Sequence, residues 1–247
     1  MLTHRIDGDG APLLLLNGGL MSIAAWQPFV DALPFRTIRC DFRGQLLTPG
    51  IASSWEDHVS DVVSLLDFLA IDRVHVAGVS FGAEVAMLLA ALHPSRVSRL
   101  TVISATDYTT PAMRIDADEG RVLARTDPAE LLRRVARKTW SRAFLAVQPA
   151  DYIEQRAKQA ALLPPAFWAG AEAILSLLLT LDLRPCLPKI TAPALVIGGE
   201  NDEVFPPEHS RAIAAAIPNA RLEMVAGRGH GLLFEEAARV IALLAEV

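Results

Sequence analysis

Residues 78–82 read Gly-Val-Ser-Phe-Gly, and they stand where an apolar run, RVHVAG, gives way to a helical pattern, FGAEVAMLLAALH. A serine hydroxyl attacks a carbonyl poorly unless a base removes its proton during the attack. A tight turn from strand to helix suits such a serine, because it strains the backbone at Ser80 and lifts the hydroxyl above the sheet edge. Gly78 and Gly82 let the strand and the helix pass close together. The free N–H groups and the positive dipole end of the following helix then face the same point.

The base must come from a loop at the same sheet edge. Five of the six histidines are poorly placed: His4 falls in the first strand, His75 inside another, His58 and His93 on or beside helices, and His209 at a helix start. His230 lies in GRGHGLL, after the run ARLEMVAG, where Gly227, Gly229 and Gly231 let a loop carry the imidazole over the edge. A carboxylate must then fix the tautomer of the histidine and stabilise its cation. Asp202, in GENDEV after ALVIGG, is the first choice; Asp107, after RLTVISA, is the rival, while Glu200 and Glu203 are expected in solvent. Ser80, Asp202 and His230 together would perform acyl transfer, and that chemistry needs donors for an oxyanion. One is the N–H of Phe81. The other belongs to Asn17-Gly18-Gly19-Leu20, with Gly19 favoured and Leu20 or Met21 as alternatives.

The elements that must position these residues follow an α/β pattern. The chain has 247 residues, 52% hydrophobic and 21% charged, enough for a sizeable core. Short apolar runs (LTHRID, PLLLLN, RTIRCD, RVHVAG, RLTVISA, PALVIGG and ARLEMVAG) alternate with helical spacing, with helices expected near 24–33, over WEDHVSDVVSLLDFLA, at 207–216 and from about 234. This predicts a mostly parallel central sheet of about seven strands with helices on both faces. Residues 107–185 hold no convincing strand, and they are read as a helical lid inserted into a core formed by 1–106 and 186–247.

Composition excludes several functions. A charge of −5 without a basic cluster argues against nucleic acid as a partner. There is no clustered His/Cys motif for a metal and no phosphate-cradling glycine loop, so no cofactor is expected. Cys40 and Cys186 are expected as two buried thiols. The N-terminus shows no secretory pattern, and PLLLLNGG is too short to cross a bilayer, so a cytoplasmic protein with no membrane partner is expected.

These residues together resemble the α/β-hydrolase superfamily, whose chain order is Ser, Asp, His. RTIRCDFRG looks like its strand and Asp-x-Arg-Gly turn, with Asp41, Arg43 and Gly44 matching. LLLNGG…AAW and the elbow are similar to small lid-bearing esterases, and to the enol-lactonase branch in particular. Two departures stand out: Asn17-Gly18 replaces a common His-Gly, and Gly44-Gln45-Leu46-Leu47-Thr48 replaces a common Gly-x-Gly-x-Ser, so that loop must run differently. The resemblance implies a carboxylic-ester hydrolase acting on a small molecule. Carbon–carbon or enol-lactone hydrolysis, cofactor-free perhydrolysis and a ligand-binding receptor are the alternatives. Trp140, Phe144, Phe167 and Trp168 are expected in the wall of an apolar pocket, and the arginines between 121 and 142 are expected mostly in solvent.

Overall fold

The computed structural model describes residues 1–160 and 162–246. The core elements run β1 (His4–Asp7), β2 (Pro12–Leu16), α1 (Gln27–Val30), β3 (Arg36–Cys40), α2 (Trp55–Phe68), β4 (Val74–Val79), α3 (Phe81–Leu92) and β5 (Val97–Ile103). Five helices follow: α4 (Pro111–Thr126), α5 (Pro128–Thr139), α6 (Arg142–Ala146), α7 (Tyr152–Ala160) and α8 (Pro165–Leu178). The core then resumes with β6 (Ala194–Gly199), α9 (Pro207–Ala216), β7 (Ala220–Val225), α10 (Leu232–Glu235) and α11 (Ala237–Ala245).

The seven strands form one sheet in the order β1-β3-β2-β4-β5-β6-β7, antiparallel only at β1. Along β2 the side chains alternate: Leu14 and Leu16 enter the core on one face, Leu13 and Leu15 that on the other. Helices cover both faces, so all four leucines are buried, each worth about 1.5–3 kcal/mol. On α2 the apolar stripe Val59, Val62 and Leu66 faces the sheet, and Ser54 starts the helix with a reciprocal cap to Asp57. Because β2, β4, β5, β6 and β7 are parallel, the loops after all five open at one edge. Chain order reverses beside β2, the position where open α/β sheets form a crevice.

Three sequence expectations need correction. The helix expected near 24–33 is a 3₁₀ turn, Ile23–Trp26, followed by the single turn of α1. Its start is drawn onto the polar floor instead, Ile23 N–H donating to Asp41 and the Trp26 indole to Asn17. The last helix begins at Leu232 and breaks at Glu236. Cys40 is buried, but Cys186, beside a short 3₁₀ turn, is half-exposed.

The inserted helices have a core of their own, where Ala124, Leu131, Phe167, Trp168 and Ala171 pack together. An antiparallel bridge, Tyr108 to Asp182, joins the segment before α4 to the segment after α8. The backbone of α8 rests on the loop after β3: a Cβ on Gly170 would lie 2.1 Å from the Gly44 carbonyl oxygen. Among the described residues no single helix is long and apolar enough to cross a membrane.

Candidate active site

Ser80 sits between β4 and α3 at φ +52° and ψ −126°, a conformation costing of order 1–3 kcal/mol for a residue with a side chain. Its N–H donates to Ile103 C=O, which fastens the turn to β5. A Cβ on Gly78 would lie 2.3 Å from Gly82 O, and one on Gly82 2.4 Å from Leu16 O. Both flanking glycines are therefore fixed by close backbone approach.

His230 Nε2 lies 3.1 Å from Ser80 Oγ, and His230 Nδ1 lies 2.8 Å from Asp202 Oδ2. The other oxygen of Asp202 accepts from the N–H groups of Val204 and Phe205, at 2.9 and 2.8 Å. An ionised Asp202 can only accept, so Nδ1 carries the proton and Nε2 accepts from the Ser80 hydroxyl. The ring of Phe205 meets His230 edge-on at 5.1 Å and walls off one side. The glycines beside His230 have a second reason for being there, because residues 139–141 of the insertion lie directly on this loop. Gly231 N–H donates to Thr139 C=O, and a Cβ on Gly231 would lie 2.6 Å from the Trp140 ring. Asp107 is not brought to His230. It pairs with His209 Nδ1 at 2.6 Å, while Glu200 and Glu203 are exposed.

The backbone N–H groups of Phe81, Gly19 and Leu20 meet no acceptor among the described residues, whereas Met21 N–H donates to Gly18 C=O. Gly19 lies beside Phe81: a Cβ on it would be 3.8 Å from that of Phe81. Unpaired main-chain donors thus stand on Phe81, next to Ser80, and on the Gly19–Leu20 loop beside it. Beneath the loop, Asn17 donates to Asp41 Oδ1, which also accepts from Ile23 N–H, while Asp41 Oδ2 accepts from Leu47 N–H. Burial raises the Asp41 carboxyl above its usual range despite these bonds.

One buried carboxyl close to Ser80 escaped sequence reasoning. Glu84, one turn beyond Ser80, is fully buried; Oε1 accepts from Thr106 N–H, and Oε2 has no partner among the described residues. Burial lifts its pKa well above the ordinary carboxylate value, with the charge on Asp202 adding to the shift. A charged residue in the first turn of a helix reads in sequence as a solvated group, so no local signal marked it.

Ser80 and His230 open onto a cavity of about 830 Å³ whose wall is mostly apolar. Gly19, Leu20 and Phe81 line it on the core side, and Trp140, Val135, Ile174, Leu175 and Leu178 on the helical side. Phe144, Phe167 and Trp168 do not line it, which corrects the expectation for these three. Phe144 stacks on the far side of Trp140 at 4.5 Å. Phe167 and Trp168 are buried inside the helical cluster: they share a face of α8 with Ile174, Leu175 and Leu178 but lie nearer its N-terminus, where the helix packs on α4 instead of reaching the cavity. Most of the arginines between 121 and 142 are in ion pairs, such as the half-buried Arg121 with Asp118 and Arg133 with Glu154, while Arg134 and Arg137 reach the cavity.

The profile of the alpha/beta hydrolase fold family matches residues 11–237. The chain belongs to the α/β-hydrolase family. Among relatives of this α/β-hydrolase, the protein named "Putative carbamate hydrolase RutD" of Serratia proteamaculans is 30% identical over 243 residues, 92% of this chain and 86% of its own. The protein of the same name from Stutzerimonas stutzeri is 29% identical over 236 residues, 93% of this chain and 88% of its own. In three dimensions, the enol-lactonase from Burkholderia xenovorans LB400 aligns with a TM-score of 0.83 at 28% identity, over 99% of this chain and 95% of that one. An alpha/beta hydrolase enzyme from a Medee basin deep-sea metagenome library aligns with a TM-score of 0.92 at 24% identity, over 98% and 92%, and shows the fold alone. The protein is a hydrolase of small molecules.

Proposed function

We propose that this α/β-hydrolase cleaves a carboxylic ester through an acyl-enzyme on Ser80. The observation that carries the reading is the unbroken series Asp202–His230–Ser80 opening, beside two unpaired N–H groups, onto a large apolar cavity. Ser80 Oγ attacks the ester carbon as His230 Nε2 takes its proton, and the oxyanion is received by Phe81 N–H and Gly19 N–H. His230 returns the proton to the departing alkoxide. It then takes a proton from water as the water oxygen attacks the acyl carbon, and returns that proton to Ser80 Oγ as the acyl–Ser80 bond breaks and the acid departs. Asp202 holds the imidazole in the tautomer that each step needs.

The division into a core of residues 1–106 and 186–247 and a lid of 107–185 belongs to the same reading. The inserted helices supply the apolar roof, and they select by acyl size. A cavity of about 830 Å³ far exceeds a carbamate, which has only a handful of heavy atoms. An ester with an acyl or aromatic part of modest size fills it better. Enol-lactone hydrolysis is the second reading, favoured by the likeness to the Burkholderia enzyme; a lactone is an internal ester and the same steps serve.

Two experiments test this. Aryl esters of increasing acyl length, an enol-lactone and carbamate are assayed with the wild-type chain and with Ser80→Ala, and a fluorophosphonate probe is mapped. Ester turnover lost in a folded Ser80→Ala protein, with label on Ser80 alone, is the expected result; turnover undiminished in that variant overturns it. Preference for the enol-lactone over every aryl ester selects the second reading. Trp140→Ala should shift the acyl-length preference, whereas Trp168→Ala should leave that preference in place and lower stability by about 3–5 kcal/mol.

A further inference from the structure

The loop that offers Gly19 is held from beneath by a side chain of another segment. Gln45, only 3% exposed and in the Gly44–Thr48 segment, reaches beneath it from the end of β3. Its Nε2 donates to Gly18 C=O at 2.8 Å, with a longer contact to Gly19 C=O at 3.4 Å. Its Oε1 accepts from Phe42 N–H at 3.0 Å and from Asn17 Nδ2 at 3.0 Å. The amide orientation is forced, because a backbone N–H can only donate to Oε1 and a carbonyl can only accept from Nε2. Asn17, which departs from the family pattern, is therefore bonded to Gln45, in the loop whose Leu46 and Thr48 also depart from it.

In a planar trans peptide the carbonyl of one residue and the N–H of the next point in opposite directions. Pulling Gly18 C=O down onto Gln45 consequently turns Gly19 N–H up, toward the face where Phe81 N–H and Ser80 stand. We infer that Gln45 is a positioning residue that sets the oxyanion donor of Gly19, doing through a buried side-chain amide what the loop's glycines cannot do for themselves. Gly18 and Gly19 carry no side chain to restrict their peptide plane, so without an anchor that plane would turn easily. Met21 N–H on the same carbonyl gives a second hold, at 3.1 Å, but from within the same turn. Gln45 is anchored elsewhere: Phe42 follows β3, and Gly44 is pinned under Gly170 of α8.

This rests on the reading of Ser80 as the acylated nucleophile. The test uses Gln45→Glu, which keeps shape and the Oε1 bonds while replacing the donor with an acceptor, and Gln45→Met, which keeps length alone. In folded variants kcat for an aryl ester should fall about ten- to a hundredfold, short of the 10²–10³ typical of deleting an oxyanion donor outright, with KM nearly unchanged. Inhibition by a trifluoromethyl ketone, which mimics the tetrahedral state, should weaken by the same factor as kcat. A folded variant with wild-type kcat overturns the proposal, and so does one whose KM alone changes. Should neither variant fold, the native enzyme decides: on ketone binding the Gly19 amide proton should move downfield with that of Phe81, and a Gly19 signal that stays in place overturns the proposal. A wild-type chain inert to esters and to the phosphonate probe removes the Ser80 reading itself, a result distinct from an active wild type matched by active Gln45 variants.

Discussion

Two histidine–aspartate pairs lie at the same sheet edge, and only one of them faces a serine. His230 and Asp202 meet at 2.8 Å, His209 and Asp107 at 2.6 Å, and all four residues are largely buried. The difference lies in what else each imidazole touches. His230 presents Nε2 to Ser80 and lines the cavity. His209 shares Nδ1 between Asp107 and the hydroxyl of Thr106, packs on the Tyr108 ring at 5.3 Å, and does not line the cavity at Ser80. That second pair joins the start of the insertion to α9, with Thr106 also bonding Glu84 through its N–H. A buried imidazole–carboxylate bond is thus a structural fastener by default. It becomes catalytic machinery when the second nitrogen is left facing a nucleophile and open space.

The comparison breaks most visibly at the carboxylates. Asp202→Asn should lower turnover by about 10⁴, because the histidine loses the tautomer that accepts from Ser80. Measuring kcat on one ester for Asp202→Asn and Asp107→Asn decides which pair is which: a comparable loss from Asp107→Asn would dissolve the distinction.

Histidines without a carboxylate sharpen it further. Burial depresses His58 and His75 to about 4, with nearby charges as the lesser influence. Below about pH 6.5 the unfolded chain takes up protons that these folded histidines refuse, so stability is lost as pH falls from there to about 4, by up to about 3 kcal/mol for each. Glu84 acts with the opposite sign, since its raised pKa makes the folded state the better proton binder. The difference in Tm between wild type and His58→Leu, followed from pH 7 to 4, isolates the histidine from Glu84. A gap that stays constant over that range would mean His58 takes no part.

The smallest effect is the one that defines a fastener. Asp107→Asn should cost about 1–3 kcal/mol of stability, from one altered buried bond, and change kcat less than severalfold. Chemical denaturation beside the kinetic assay reads both quantities. Loss of activity with undiminished stability would contradict the structural role.

The strands were legible because each is a short apolar run bounded by turn residues, and the period-two alternation of Leu13 to Leu16 needs only local information. The elbow was legible for the same reason, since Gly78, Ser80 and Gly82 sit within five residues and their steric need is local. The pocket wall was not. Trp140 and Trp168 are both large aromatics in the inserted helices, yet one lines the cavity and the other fills the helical core. That outcome depends on which turns of the helices reach Ser80: Trp168 shares a face of α8 with the cavity-lining Leu175 but lies two turns nearer its N-terminus, and no spacing within α8 reports where the cavity ends. The segment at 24–33 was misread as a regular helix because its start bonds to Asp41 and Asn17, partners remote along the chain.

By itself the sequence determined the α/β alternation, the strand count and the three residues whose types and loop positions suit acyl transfer. Those depend on periodicity and on turn chemistry, which act over a few residues. Only the tertiary structure decided that Asp107 turns to His209, that Glu84 is sealed beside Asp202, and that Gln45 lies under Gly18. Each of these is a contact between residues far apart in the chain. A polar side chain in a loop or a first helical turn looks solvated until packing removes the water around it, and burial then requires a partner that only the folded chain can supply.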